Sequence, residues 1–201
     1  MTEQVTTETP VETPRGALSG EQVSSLMRDL NPDRVVELSK GKSGTLKYLE
    51  AWDVKASLIR VFGFANFSAE VIDSQIVNVV PKGDSQVVVL AKATVRLTIH
   101  ATGAIYTESA AASQTGTQVG EVADFALKTA ESDALKRCAI YLGSQFGLSL
   151  YRNGSTADVV RVVLDPAQKA AMEAHAVEVA AKRAAAEAQV QGALKTGASG
   201  E

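Results

Sequence analysis

The chain has 201 residues, 45% of them hydrophobic, and a formal net charge of −3. That length holds one domain with a sizeable core plus extensions, and no apolar run approaches membrane-spanning length. A single cysteine, Cys138, excludes an internal disulfide framework and fits a reducing cytoplasm. The polar, acidic opening from Met1 to Gly16 is not a secretory signal. Residues 21–152 carry 14 Lys and Arg against 14 Asp and Glu. A nucleic-acid site would therefore be a local groove and not a global field.

Residues 1–20 mix Thr, Glu and Pro with almost nothing to bury, and read as a disordered tail. Ser19 or Gly20 can cap a short helix through Val23, Leu26, Met27 and Leu30. Asn31-Pro32-Asp33 breaks it, because proline disfavours helix in the residue before it. A second helical piece, Pro32 to Leu38, carries its proline at a tolerated first-turn position. Lys40-Gly41-Lys42-Ser43-Gly44 is a flexible basic loop, either tracking a phosphate backbone or simply a solvated turn. Gly41-Lys42-Ser43 is not a P-loop: Val36 stands where that motif needs glycine, and no apolar strand precedes it.

Leu49 to Phe62 reads as a helix, with Leu49, Trp52, Ala56 and Ile59 at helical spacing and Gly63 as its stop. Trp52 is expected first in the core and second with its polar edge at the surface. Strands follow. Phe67, Ala69 and Val71 alternate with polar neighbours, weakening toward Val80 before a turn at Pro81-Lys82-Gly83-Asp84. From Gln86 to His100 the alternation is sustained: Val87, Val89, Ala91, Ala93, Val95, Leu97 and Ile99 point one way, Lys92, Thr94, Arg96, Thr98 and His100 the other. Such a strand belongs to an antiparallel sheet with one covered and one wetter face. Thr102-Gly103 turns the chain into a third strand, Ile105 to Ala112, and Ser113 to Gly120 is a polar loop.

Val119 to Leu148 then reads as one long helix. Ala123, Leu127, Ala130 and Ala134 mark one side of its first half; Leu135, Cys138, Ala139, Leu142 and Phe146 mark its second. Small contacts early and larger ones later suggest a helix lying close on a sheet and then packing deeper. Lys136 and Arg137 fall off the second stripe, on a side shared with Thr129, Asp133 and Ile140. They are either two solvated cations or part of a charged site. Val159 to Leu164 is β-prone and could add an edge strand. Asp165-Pro166 starts an Ala-rich helix to about Ala193, without a sustained apolar seam, and 196–201 is a disordered tail. The expected layout is a tail (1–20), one α+β domain (21–164), the Ala-rich helix (165–195) and a second tail (196–201). In that domain a three-stranded antiparallel meander is covered by one long helix.

No constellation points to catalysis. His100 and His175 show no triad or HExxH spacing, one Cys cannot make a zinc site, and the acidic residues form no EF-hand loop. An enzyme and a cofactor are therefore not expected.

From Leu30 onward the order of motifs resembles the Rad-fifty-two-type single-strand annealing proteins. The similar features are the Leu30-Asn31-Pro32-Asp33 start, the Gly-rich basic loop, Tyr48-Leu49-Glu50, a helix ending in Phe62-Gly63, and a meander with Val95-Arg96-Leu97. To these the long helix adds Asp133-Ala134-Leu135-Lys136-Arg137, then Leu142-Gly143 and Phe146-Gly147-Leu148. The resemblance covers Leu30 to Tyr151. It implies an oligomeric ring, or a short filament, whose groove holds single-stranded DNA by its backbone and anneals complementary strands without hydrolysing nucleotide. Mapped residue by residue, it places Lys136, Arg137 and Tyr48 in that groove, with Lys40, Lys42 and Lys128 as weaker candidates. Tyr48 either stacks on a base or buttresses the loop. Two usual basic positions are occupied by Ile140, three residues after the Lys-Arg pair, and by Leu38, before the Gly-rich loop; for the latter Arg34 and Lys40 could substitute. A compact chain of this kind looks like a phage recombination protein acting in a bacterial host cytoplasm. Its further partner would be a single-strand-binding protein or an exonuclease, and no membrane is involved. The alternative is a non-annealing scaffold oligomer that docks partners through its C-terminal helix.

Overall fold

A computed structural model describes residues 16–39, 41, 44–160 and 166–197. Most of both tails, Lys40, Lys42, the Asp165 cap and 161–164 lie outside them. Helix α1 (Gly20–Leu26) is capped by Ser19, whose side chain accepts from Gln22 N while Gln22 returns a bond to Ser19 N. This capping box satisfies two otherwise orphaned donors. A single 3-10 turn, Pro32–Arg34, follows.

The expected helix through Leu38 is not formed. Val36–Ser39 is instead a strand, β1, paired antiparallel with β2 (Thr45–Tyr48) so that Val36 faces Tyr48 and Leu38 faces Leu46. A β-branched pair, Val35-Val36, after a 3-10 turn gives helix little local support, and the partner strand then supplies the hydrogen bonds. The Gly-rich loop is the tip of this hairpin, with Gly41 and Gly44 at φ of +60° and +90°.

Helix α2 (Ala51–Phe62) buries Asp53, Val54, Ser57, Leu58 and Phe62. Trp52 is therefore turned outward, 67% exposed, with its indole N–H donating to Glu50. The expectation of a core tryptophan fails because the helix is rotated to bring Asp53 and Ser57 against Arg34.

The meander comprises β3 (Phe67–Lys82), β4 (Gln86–Ile99) and β5 (Ala104–Gly116), in the order β3-β4-β5. Alternation on β4 is realised: Val89, Ala91, Ala93, Val95, Leu97 and Ile99 are all buried. On β3 it weakens because bulges at Ile72 and Val77 each add a residue and reset the phase. β5 runs four residues past Ala112, and Ser113–Gly116 pair with Val87–Leu90 where a loop was expected.

Helix α3 (Val119–Ile140) crosses β4 and β5 and touches β3 only lightly. Its first half packs Val122, Ala126 and Ala130 on Val89, Ala91, Ala93 and Ala112. The approach is so close that a Cβ on Gly116 would meet Val122 at 2.6 Å. Its second half enters a larger core with Leu135, Cys138 and Ala139 against Val54, Leu58, Leu97 and Phe146. The helix stops at Ile140, short of the expected Leu148, because Gly143 (φ +101°) and Gly147 (φ +93°) take conformations closed to other residues. Two 3-10 turns, Ser144–Phe146 and Leu148–Tyr151, replace that last stretch.

Beyond them Val159 and Val160 form no strand; Leu30 N donates to Thr156 O and Asp158 N to Asp29, tying this segment to the start of the domain. Helix α4 (Pro166–Gly197) outruns its expected end, as its Ala-rich composition allows, and lies along α1. The architecture is α+β: a three-stranded antiparallel sheet packed on one long helix, with short helices and a C-terminal helix.

Candidate nucleic-acid interface

The second half of α3 and the β1–β2 hairpin enclose a cleft of about 430 Å³. Cross-strand pairing puts Val36, Leu38, Leu46 and Tyr48 on one face of the hairpin and Glu37 and Lys47 on the other. Tyr48 and Leu46 line one wall of the cleft; Lys136, Arg137 and Ile140 line the facing wall. The helical spacing that took Lys136 and Arg137 off the apolar stripe is what brings them to this opening.

The Lys136 ammonium lies 5.6 Å from the centroid of the Tyr48 ring, within cation–π reach. It also pairs with Asp133 Oδ1 at 2.6 Å. Arg137 Nη1 donates to the carbonyl oxygen of Ser109 on β5 at 2.9 Å. That bond uses one of five guanidinium donors and leaves the others for an anion. Three residues distant in sequence thus meet: Tyr48, Lys136 and Arg137. Together they offer two cations beside an aromatic face, which suits a phosphate adjoining a planar group.

The other candidates are placed differently. Lys128 is exposed and paired with Asp124 at 2.6 Å. It sits two turns earlier on α3, about 12 Å away and roughly 80° around the helix from Lys136, and does not line the cleft. Lys40 and Lys42 belong to the hairpin tip outside the described residues.

Arg34 does not substitute for a missing basic contact, contrary to expectation. It holds Asp53 through Nε (3.0 Å) and Nη2 (2.8 Å), Ser57 through Nη2 (2.7 Å), and Gln145 through both its side-chain and main-chain oxygens (3.0 Å each). Gln145 in turn donates to the carbonyls of Arg28 and Asp29. The guanidinium is consumed by a buried knot that joins the Pro32–Arg34 turn, α2 and the turn preceding Phe146. His100 is likewise structural: Nδ1 donates to Ala65 O at 3.1 Å, and Nε2 lies 2.7 Å from Ser68 Oγ.

Sequence reasoning missed other parts of the cleft wall. Leu46, Leu150 and Tyr151 also line it, and Tyr151 is 75% exposed. The Leu46/Tyr48 alternation was a usable signal for the hairpin wall; nothing local marks Tyr151. Among the described residues, no cluster of three or more His, Cys, Asp or Glu could hold a metal ion, and no helix is long and apolar enough to cross a membrane.

The sequence model described as Rad52/22 family double-strand break repair protein matches residues 19–169, from the cap of α1 into the first turn of α4. No curated protein matches the chain.

Proposed function

The chain belongs to the Rad52/22 family of double-strand break repair proteins, and from that premise we propose that it anneals complementary DNA strands as an oligomeric ring. Membership implies single-stranded DNA binding and annealing in double-strand break repair, by non-catalytic proteins. The observation that carries the reading to particular residues is the meeting of Lys136 and Arg137 with Tyr48 at one opening. Each phosphate neutralised there releases condensed counterions, so even a protomer of net charge −3 can bind a strand through one local site. Repetition around a ring makes such sites continuous.

Support for the ring comes from β3. Val71, Ile76 and Val79 pair with Val95, Ala91 and Val89, so they share the face that α3 covers on β4. α3 touches β3 only lightly, and these three are 53%, 43% and 43% exposed. An apolar strip on an edge strand of an open sheet is a surface for a neighbouring copy. A phage-encoded protein acting in a bacterial cytoplasm, with a single-strand-binding protein or an exonuclease as further partner, completes the proposal.

Fluorescence-monitored pairing of two complementary oligonucleotides without nucleotide tests the activity, and negative-stain imaging with and without single-stranded DNA tests the assembly. Pairing no faster than the spontaneous rate would remove the annealing reading. Single protomers at micromolar concentration would remove the ring.

A further inference from the structure

Helix α4 meets α1 at Gly20, so closely that a Cβ there would collide with the Ala171 carbonyl oxygen and lie 2.8 Å from His175 Cβ. Beyond that crossing the two helices leave a groove of about 540 Å³ between them. Arg28 enters it from the α1 side and Arg183 from α4, over a floor of Ala176, Val179 and Ala180. Both arginines are exposed. Among the described residues neither is paired with a carboxylate. Glu178 on α4 is held by Lys182 at 2.6 Å, and Glu187 lines the groove without pairing to either guanidinium. Two guanidiniums brought to one groove by different elements repel each other unless an anion lies between them, and a carboxylate fits the guanidinium fork.

The chain itself carries such anions at the right end. Residues 1–15 hold Glu3, Glu8 and Glu12 against Arg15 alone, with Val5 and Val11 among them. They join the domain at Gly16, four residues before the Gly20 crossing. From Gly16 to Gly20 and along α1 to Arg28 is at most roughly 26 Å. The eight residues from Glu8 to Gly16 span up to about 28 Å when extended. We propose that the acidic segment 1–15 of the same chain lies in the α1–α4 groove, its carboxylates on Arg28 and Arg183 and its valines on the apolar floor. With one cation on each side, the segment ties α4 to the domain, and salt loosens the tie.

The test uses the full chain, with the buried Cys138 left in place. Thr7→Cys is combined either with Ala180→Cys in the groove or with Ala185→Cys, roughly 140° around α4 from it. Disulfide formation is followed on non-reducing gels and by peptide mass. The link between positions 7 and 180 should form within one chain, about fivefold faster than that between 7 and 185, which is what two exposed ion pairs supply. Arg28→Glu with Arg183→Glu should abolish the preference. So should 1 M salt, where the Debye length is about 3 Å; if the charge reversal costs α4 its helix by far-UV circular dichroism, the salt arm decides alone. Equal rates at the two positions overturn the proposal, as does a preference that survives both charge reversal and salt. A link formed between chains, seen at twice the mass, also overturns it and gives the groove to the same segment of a second copy.

Discussion

Lys136 Nζ stands over the Tyr48 ring, 5.6 Å from its centroid, and joins α3 to the β1–β2 hairpin across the cleft. Asp133 Oδ1 holds the same ammonium at 2.6 Å. The cation is thus oriented by two neighbours, one of which also offsets its charge.

Replacing Lys136 and Arg137 together by Ala should reduce single-stranded DNA affinity sharply, since a charge-assisted contact contributes about 1.5–3 kcal/mol. The slope of log affinity against log salt should also flatten. Stability should fall by only about 1 kcal/mol, mostly through the lost Arg137 bond to the Ser109 carbonyl. Lys182→Ala with Arg183→Ala makes the same charge change on α4 and should leave annealing near wild type. Binding isotherms over a salt titration, beside denaturant melts, read both effects.

Asp133→Asn should do the opposite. Removing the carboxylate frees Lys136 for phosphate, so affinity should rise a few-fold and the salt slope should steepen by up to about one counterion. An unchanged slope would mean that Lys136 does not meet the strand.

Arg34→Ala should be severely destabilising. The Arg34–Asp53 pair is nearly dry, with side chains 14% and 5% exposed, and breaking such a pair by removing one partner costs about 3–5 kcal/mol. Arg34→Lys should recover little, because an ammonium cannot reproduce the fork that spans Asp53, Ser57 and Gln145. Urea midpoints decide this, and a shift under 1 kcal/mol would contradict it.

Ile76→Glu should dissociate the proposed oligomer while leaving the protomer folded, because Ile76 is 43% exposed on the edge strand β3, which α3 touches only lightly. Light scattering and far-UV circular dichroism report the two outcomes separately. An intact assembly with a charge at this position would place the contact elsewhere.

Alkaline pH supplies a further check. Tyr141 donates to Glu108 at 2.8 Å; that bond, and secondarily the negative charge behind it, holds the phenol above its ordinary value. The folded state therefore keeps this proton more tightly than the unfolded chain. Its contribution is fully present below the unfolded value of about 10 and is lost as pH rises through the folded one. Tyr141→Phe should flatten the decline of stability above pH 10. In the wild type, absorbance at 295 nm should show one of the four tyrosines ionising late.

Much of the scaffold was legible because its signals are local. Alternation from Val87 to Ile99 reports a sheet with one covered face, whatever it packs against, and the Ala-rich first half of α3 reports a close approach to that sheet. Gly63 ended a helix where expected. Gly143 and Gly147 were legible as glycines but not as a stop, because only the packed turns there demand a positive φ.

The hairpin, the rotation of α2 and the composition of the cleft were decided by partners remote in sequence. Val36–Ser39 became a strand because Thr45–Tyr48 offered it hydrogen bonds. Trp52 went outward because Arg34 drew Asp53 and Ser57 inward. That same knot occupies the Arg34 guanidinium. The sequence by itself determined which residues could be cationic, aromatic or buried. Only the tertiary structure decided that Tyr48, Lys136 and Tyr151 line one cleft, because long-range pairing and a buried charge outweigh the weak preferences that a local window contains.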